Sequence, residues 1–492
     1  MSLTPGSLLQ ETAKIWPELV LVFYAFILLI LSAFYPREKR SQLGYWSLFA
    51  VLLTLVVVLR LGFSLDGGSA PPAFFGQFAV DTFGIWFKSI FLAAAALTIM
   101  MSIRYMDIER AQSGEYYSLI LLATAGMMFM ASATNFVLIY VSLETMALSI
   151  YVLAGILKEN RKSNEAALKY FILGAFSSGI FLYGISLVYG VTGALDLRAI
   201  SAAAAISGPS PLLVIGLTLI TVALGFKIAA VPFHMYIPDA YEGAPTGITA
   251  FMATASKAAA FAVLLRVFIE GFGPLSSSWT PLLLLMSAAS MTLGNVTAIL
   301  QENTKRMLAY SSISHAGYAL MGVVAAGQGG ENGAYGMTAV ALYLMVYSFT
   351  TLGAFGIVIM LRRENLLGDL VVDFAGLSRR APLPAFAMLV FLLSLAGIPL
   401  TAGFIGKWYL FGAAIKANYV WLAVLAVLNS AVSVYYYVRI VVQMYIKEPV
   451  SQERYALSPA LAAALGIAVI FTLLIGVYPE HFVSFARLAL VG

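Results

Sequence analysis

The sequence predicts an all-α membrane protein that crosses the bilayer many times. Hydrophobic residues make up 61% of its 492 positions and charged residues 10%, whereas soluble domains carry about 25% charged residues. The apolar residues form runs of roughly 20 or more, the length that a helix needs to cross the hydrocarbon layer. Two longer runs contain an internal proline, so each predicts a helix that is broken inside the membrane.

Polar and turn-forming residues divide the apolar runs into about 14 predicted transmembrane helices. We expect span 7 to break near Pro232 and span 12 near Pro399, because proline removes a backbone donor and clashes with the preceding turn. The spans cover residues 17–35, 44–64, 80–103, 115–133, 135–157, 164–190, 211–241, 244–270, 279–300, 304–326, 333–361, 382–416, 418–446 and 457–478.

The basic residues of the connecting loops predict the orientation. One set of connections holds 16 of the 28 Lys and Arg residues, the other side and its span ends hold six, and the spans hold six. Short cytoplasmic loops carry the excess of positive charge, so the larger set is predicted to be cytoplasmic and both termini to lie outside. This set comprises Arg37, Lys39, Arg40, Arg104, Arg110, Lys158, Arg161, Lys162, Lys305, Arg306, Arg362, Arg363, Arg379, Arg380, Lys447 and Arg454.

The two broken spans predict an internal repeat. They are five spans apart, and an odd offset reverses orientation, so spans 4–8 and 9–13 are expected to form two inverted five-helix repeats. The predicted divisions are a three-helix segment at 1–114, a first repeat at 115–270, a second repeat at 279–446 and a C-terminal helix at 447–492. The repeat rests on architecture, because the halves share little residue identity.

The composition also excludes several kinds of chemistry. The chain has no Cys, which excludes disulfides and iron–sulfur ligation. Its three histidines do not pair at metal-ligand spacing, and it lacks the glycine-rich loops that hold nucleotides. We therefore expect no cofactor, no metal and no nucleic acid on this chain, and no cleavable signal at its N-terminus.

Ionisable residues inside the spans are the candidates for function, because charge in the membrane is costly. Glu144 in span 5 has Lys227, which precedes the first break, as its candidate partner. The alternative is a static ion pair that fastens two helices. Lys257 is predicted near the middle of span 8 among small residues, and His315 lies in span 10 among hydroxyls. His315 suits a proton relay or a hydrogen-bonded core position.

Further charged residues extend this set. Lys407 follows the second break among glycines, where it is suited to release protons outward. Lys169 is predicted one or two turns inside the cytoplasmic end of span 6. It either has a function or only extends its ammonium to the membrane surface. Lys88 is expected at a lipid or interface contact and Arg439 near a cytoplasmic helix end. His234, beside the first break, is expected to relay protons or to cap a carbonyl, and His481 to be solvated.

Four motifs make the chain resemble a known family. They are LETMALSIYVL, GFKIAAVPFHMYIPDAYEGAPT, ENTKRMLAYSSISHAGY and LAGIPLTAGFIGKW. The chain resembles the antiporter-like membrane subunits of respiratory complex I and Mrp-type antiporters, over about Met130 to Leu410. Lys407, where subunit M has Glu, and the absence of a long lateral helix make it most similar to the subunit N branch. A chloroplast-type homologue is the alternative.

The resemblance implies a role for each candidate. Glu144 and Lys227 would be the proton-input pair, Lys257 the central lysine, His315 the connecting residue and Lys407 the output residue. Lys169 matches a further lysine of subunit N.

The implied function is proton translocation in a bacterial inner-membrane NADH:quinone oxidoreductase. NADH, FMN, iron–sulfur clusters and quinone are expected on partner subunits, and the membrane partners would be subunits M, K, J, A and H. The alternatives are an Mrp-type sodium/proton antiporter subunit, a membrane subunit of an energy-converting hydrogenase or formate hydrogenlyase, and a passive scaffold whose buried charges only fix packing.

Overall fold

A computed structural model describes residues 11–36, 39–65, 68–362, 368–449 and 457–491, so the predicted loop positions Arg37, Arg363 and Arg454 lie outside the described residues. The longer helices are α1 Trp16–Phe34, α2 Ser41–Phe63, α3 Thr82–Ile108, α4 Gly114–Ser132, α5 Phe136–Ala154, α6 Arg161–Thr192, α7 Leu197–Ser207, α8 Pro211–Lys227, α9 Ile237–Gly243, α10 Thr246–Gly271, α11 Ser276–Ile299, α12 Thr304–Ala326, α13 Gly330–Leu361, α14 Pro382–Ala396, α15 Ala402–Lys416, α16 Val420–Tyr445, α17 Pro459–Val477 and α18 Pro479–Val491. Strands β1 Ser69–Ala73 and β2 Phe78–Asp81 form an antiparallel hairpin.

The predicted fold class, an all-α polytopic membrane protein, is confirmed. Ten of the described helices are long and apolar enough to cross a membrane, namely α1, α2, α3, α5, α6, α10, α11, α13, α16 and α17. The apolar windows of α10 and α13 are entirely buried inside the protein, so these two helices form the centre of the bundle. The other four predicted spans correspond to α4, α12 and the pairs α8/α9 and α14/α15, and the count of 14 stays a prediction.

Both broken helices occur where the prolines predict them. Helix α8 ends at Lys227 and the chain resumes helical structure at Ile237, while α14 ends at Ala396 and α15 begins at Ala402. Side-chain hydroxyls satisfy backbone groups that the breaks release. The Val231 amide donates to Ser290 at 2.8 Å and the Gly403 amide donates to Ser394 at 2.9 Å. Such partners make irregular backbone tolerable inside a bundle.

Matching helix contacts recur at a constant spacing along the chain. Gly126 of α4 packs against the Ser142 carbonyl and the Met146 amide of α5, and Gly294 of α11 packs against the Tyr310 carbonyl and the Ser314 amide of α12. Each position lies 168 residues after its counterpart (126 to 294, 142 to 310 and 146 to 314). The helix-capping residues Asn135 and Asn303 keep the same spacing.

The two breaks follow the same spacing. The amide of Ala229 bonds to the Phe226 carbonyl and that of Ala230 to the Gly225 carbonyl. The equivalent bonds run from Gly397 to Ser394 and from Ile398 to Leu393, again 168 residues later (229 to 397 and 230 to 398). Ala229 and Gly397 both have positive φ, of 60° and 87°. This correspondence supports the predicted repeat in residue-level detail that the sequence did not reveal.

A buried ion pair joins two of the three N-terminal helices. Lys88 of α3 contacts Glu18 of α1 at 2.7 Å, with side chains 2% and 0% exposed. The expectation of a lipid or interface contact at Lys88 is therefore wrong, because its ammonium has a carboxylate partner inside the bundle. Helices α7 and α18 and the β-hairpin were not predicted.

Candidate functional site

The predicted ionisable residues lie mostly in the interior of the bundle. Lys227, Lys257, His315 and Lys407 are 6%, 3%, 5% and 4% exposed. Each sits on a different helix: α8, α10, α12 and α15. Three ammonium groups and an imidazole buried in one membrane bundle require polar partners. The hydrogen-bond partners of each group therefore indicate which proton transfers the arrangement permits.

Lys227 reaches a hydroxyl and not the predicted carboxylate. Its ammonium donates to the Tyr151 hydroxyl at 3.3 Å. Glu144 lies on α5 two helical turns before Tyr151, is half-buried, and accepts a hydrogen bond from Ser178 of α6. In the described part of the chain Glu144 and Lys227 form no direct ion pair, so this conformation lacks the static pair that was the alternative interpretation, and the proton-input role stays a prediction.

A row of aromatic rings leads from Lys227 towards Lys257. Tyr151 meets Tyr170 edge-on with ring centroids 4.6 Å apart, and Tyr170 stacks on Tyr236 at 4.8 Å. The Tyr170 hydroxyl lies near Ser256, the residue that precedes Lys257. Three tyrosines and Ser256 therefore form a series of neighbouring groups from the residue that contacts Lys227 to the residue that precedes Lys257.

Lys257 follows a single π-helical turn, Met252–Ser256, inside α10. Turns of this kind are frequent at functional sites because they displace one side chain from the regular helical ladder. The Lys257 ammonium donates to the carbonyl and the hydroxyl of Ser312 on α12, at 2.8 Å and 2.6 Å. None of the carboxylates in the described ranges forms an ion pair with it, so its charge is held by neutral acceptors alone.

His315 is held between two tyrosines. Its Nδ1 lies 2.5 Å from the Tyr343 hydroxyl, and its Nε2 lies 3.1 Å from the Tyr437 hydroxyl. The Tyr437 hydroxyl also lies 2.5 Å from the Ser311 hydroxyl. Both ring nitrogens are therefore partnered by groups that donate or accept, which is compatible with either tautomer of a neutral imidazole.

Lys407 lies against the second break. Its ammonium donates to the Ala396 carbonyl at 2.9 Å, which ends α14, and to Ser430 of α16 at 2.8 Å. A small cavity extends from Lys407 to His315, and its walls include Tyr343, Tyr347 and Thr350. The cavity joins the predicted connecting and output residues. Lys407 follows its break whereas Lys227 precedes the other one, so the two lysines are not counterparts in the repeat.

A family model described as NADH:quinone oxidoreductase/Mrp antiporter, transmembrane, matches residues 133–433. The chain belongs to this family. It is 45% identical over 491 residues to NADH-quinone oxidoreductase subunit N 2 of Rhizobium meliloti (strain 1021), covering 100% of both chains. The resemblance to subunit N is thus confirmed.

Two solved structures of membrane complexes contain chains with the same fold. A chain of respiratory complex I from Thermus thermophilus is 34% identical with a TM-score of 0.81, covering 96% of this chain and 99% of that one. A chain of the Mrp complex from Dietzia sp. DQ12-45-1b has a TM-score of 0.86 at 22% identity, covering 98% of this chain and 97% of that one, and shows the shared fold alone.

Lys169, the remaining candidate in this antiporter-family chain, lies away from the buried row. It is 43% exposed and pairs with Glu165 and with Asp239 of α9, both at 2.7 Å. Arg306 of α12 also contacts Asp239 at 2.8 Å. A second carboxylate of α9, Glu242, binds Lys162 at 2.7 Å and Arg306 at 2.9 Å. These pairs fasten the short helix α9 to one helix of each predicted repeat.

The weaker candidates fall into ordinary structural positions. Arg439 donates to the carbonyls of Ile299 and Gln301, where it caps the end of α11. His481 is exposed, as predicted. His234 lies in the first break with its Nδ1 buried and unpaired among the described residues, which leaves both of its predicted roles as predictions.

The sequence did not identify the hydroxyl partners of the buried charges. These are Tyr151, Ser178, Ser312, Tyr343, Tyr437 and Ser430. The hydroxyl-rich run around His315 was visible in the sequence. Which hydroxyl serves which amine depends on contacts between helices, so no spacing rule would have assigned them.

Proposed function

We propose that this chain is the proton-translocating membrane subunit of a proton-pumping NADH:quinone oxidoreductase, and that protons pass through it along a chain of buried amines, a carboxylate and an imidazole. The observation that supports it best is the bonding of Lys257 and Lys407. Each ammonium is surrounded by protein and binds neutral oxygens. A buried lysine without a counter-ion gives up its proton far more readily than an exposed one.

The proposed order follows the resemblance and the contacts. Glu144 and Lys227 receive the proton, Lys257 carries it at the centre, His315 connects the halves and Lys407 releases it. Separate partners for Glu144 and Lys227 suit an input step, because a conformational change that brings them together would stabilise the ammonium through a close charge pair. Moving them apart again would release the proton.

Lys169 would act at the side that carries most of the basic loop residues. Its pairs with Glu165 and Asp239 hold α9, the helix that follows the first break. We propose that Lys169 controls the position of this short helix and so the access of water to the break. This is a role at the surface of the bundle, beside the buried row.

The energy for transport would come from redox reactions on partner subunits, with NADH, FMN, iron–sulfur clusters and quinone bound there and none on this chain. The proposed membrane partners are subunits M, K, J, A and H. The chain would reside in a bacterial inner membrane with both termini outside. The 168-residue correspondence supports two inverted repeats at 115–270 and 279–446, flanked by segments 1–114 and 447–492.

The test is proton pumping by the assembled complex in vesicles. Lys257→Met and Glu144→Gln should each lower the protons moved per NADH oxidised by about tenfold or more, because each removes a protonatable group from the proposed route. The matched control is Lys416→Met, an exposed lysine at the end of α15. Pumping at the normal ratio in both Lys257→Met and Glu144→Gln would reject the proposal.

The rival functions make different predictions. An Mrp-type antiporter subunit would move protons against sodium without redox turnover, and the likeness to the Dietzia chain supports the shared fold only. A hydrogenase or formate hydrogenlyase subunit would co-purify with different soluble partners. A scaffold would lose assembly, not pumping, when Lys257 is replaced.

A further inference from the structure

We propose that Ser312 is the relay residue for the proton of Lys257, and that the hydroxyls of Ser312 and Tyr347 carry this proton into the cavity beside Lys407. The proposal rests on proton translocation as the function. It goes beyond that function because it adds a pair of hydroxyls to the transfer between Lys257 and the output half, beside the proposed connecting residue His315.

The contacts of Lys257 support the first step. Its ammonium reaches two oxygens of the same residue, the Ser312 hydroxyl at 2.6 Å and the Ser312 carbonyl at 2.8 Å. Ser312 is completely buried and Lys257 is 3% exposed. A proton that leaves the amine therefore has the Ser312 oxygen at hydrogen-bond distance.

Tyr347 of α13 supplies the second step. Its hydroxyl lies beside Ser312 and Thr351. The same tyrosine lines the cavity that contains Lys407, and its ring centroid is 4.9 Å from that of His315. Tyr347 therefore lies beside Ser312 and also lines the cavity that contains Lys407, so one hydroxyl is available to both.

Tyr241 provides an independent observation at the same junction. Its side chain is 1% exposed, and its hydroxyl makes no well-formed hydrogen bond with another residue in the described ranges. Ser312 and Tyr347 both lie close to it. A buried hydroxyl left unpaired costs about 1–3 kcal/mol. Its position beside Ser312 indicates a junction that rearranges its hydrogen bonds or holds water.

The transfer balances without a cofactor. The N–H bond of the Lys257 ammonium breaks and the proton joins the Ser312 oxygen, while the original proton of that hydroxyl passes to the Tyr347 oxygen. Tyr347 passes its own proton to water in the cavity, from which the Lys407 amine accepts it. Serine and tyrosine end as they began, Lys257 becomes neutral and Lys407 becomes charged.

The internal repeat gives a reason for a serine at this position. Ser312 lies 168 residues after Glu144, the spacing that relates the matching contacts of the two halves. A carboxylate at position 312 would form a close ion pair with Lys257 and hold its proton strongly. A hydroxyl accepts the same hydrogen bond but leaves the lysine free to become neutral.

The experiment compares four single variants, one double variant and Lys257→Met in the complete complex, reconstituted in vesicles. Ser312→Ala removes the relay hydroxyl, Ser312→Thr keeps one, Tyr347→Phe removes the second hydroxyl, and Ser314→Ala is the control. Ser314 is buried on the same helix and its hydroxyl donates to the Ser311 carbonyl, away from Lys257. Proton pumping and NADH oxidation are measured in H₂O and D₂O, together with the amount of assembled complex.

We expect Ser312→Ala and Tyr347→Phe each to lower the pumping rate at least fivefold with normal assembly and a larger D₂O effect. The Ser312→Ala/Tyr347→Phe double variant should be no worse than either single one, because the two hydroxyls act in series on one route. Ser312→Thr should retain at least half the rate, and Ser314→Ala the normal rate.

Normal pumping in Ser312→Ala would overturn the relay, as would equal losses in Ser312→Thr and Ser312→Ala when both assemble normally. If Ser312→Thr fails to assemble, the Tyr347→Phe and double variants decide the question. Lys257→Met in the same assay separates the two proposals. Loss of pumping there with a normal Ser312→Ala rejects only the relay, whereas normal pumping in Lys257→Met rejects the proposed function as well.

Discussion

Gly397 and the Lys407 side chain are in direct contact. A methyl group added to Gly397 would lie 2.9 Å from Cδ of Lys407 and 3.3 Å from its Nζ, and the glycine has φ of +87°. Gly397, which follows the last residue of α14, therefore leaves room for the lysine after the break. Only glycine combines this backbone conformation with that space.

Gly397→Ala should therefore impair the output end of the chain. We expect about 1–2 kcal/mol of backbone strain and displacement of the Lys407 ammonium from the Ala396 carbonyl and Ser430. The measurements are the thermal stability of the assembled complex and its pumping rate, which should fall severalfold. Gly466→Ala is the control, because nothing lies within 4 Å of a methyl group added there. Equal pumping in the two variants would contradict the proposed placement of Lys407.

Tyr151→Phe tests the hydroxyl partner of Lys227. The change removes the acceptor at 3.3 Å and leaves a buried ammonium with one hydrogen bond fewer, at a cost of about 1–3 kcal/mol. We expect a severalfold lower pumping rate with NADH oxidation slowed in parallel. Tyr116→Phe is the matched control, since that buried hydroxyl contacts Ser102, far along the sequence from the candidate residues. An unchanged rate in Tyr151→Phe would show that Lys227 does not depend on this hydroxyl.

Variants of the Glu18–Lys88 ion pair should lower the stability of the complex without lowering its proton pumping. Removing one partner of a buried ion pair leaves an unpaired charge and typically costs about 3–5 kcal/mol. Glu18→Gln and Lys88→Met should each lower assembly or thermal stability strongly, and the double variant should recover much of the loss. Complex that does assemble should pump normally. A pumping defect per assembled complex would place this pair on the proton route instead.

For Lys169 we expect the reverse, an effect on pumping with little effect on stability. The Lys169 side chain is 43% exposed, and its partners Glu165 and Asp239 are 57% and 37% exposed. Exposed ion pairs contribute about 0–1 kcal/mol to stability, so Lys169→Met should barely change the stability of the complex. If it controls α9, the backbone amides of residues 237–243 should exchange hydrogen faster and pumping should decrease. Asp239→Asn should reproduce the effect and Lys169→Arg should preserve normal behaviour. Unchanged exchange in Lys169→Met would argue that its role is only to snorkel.

Much of the architecture followed from local sequence properties. The apolar runs predicted the helices, and Pro232 and Pro399 predicted the two breaks, because a missing backbone donor acts on its own turn whatever surrounds it. The sequence did not predict the amphipathic helix α18, because its polar residues interrupt the apolar ones and leave no long apolar run. The repeat was inferred from architecture, but its 168-residue spacing became visible only in contacts such as that of Gly126 with α5.

The sequence by itself determined that this chain is a membrane bundle with rare charges inside it, since hydropathy and charge are properties of single residues and short windows. Only the tertiary structure decided which groups meet. In the folded protein Lys88 pairs with a carboxylate of α1, Glu144 and Lys227 have separate hydrogen-bond partners, and Lys257 bonds to Ser312. The physical reason is that the strength of a buried charge interaction depends on distances of a few ångströms between helices distant in sequence, and packing of the whole bundle sets those distances.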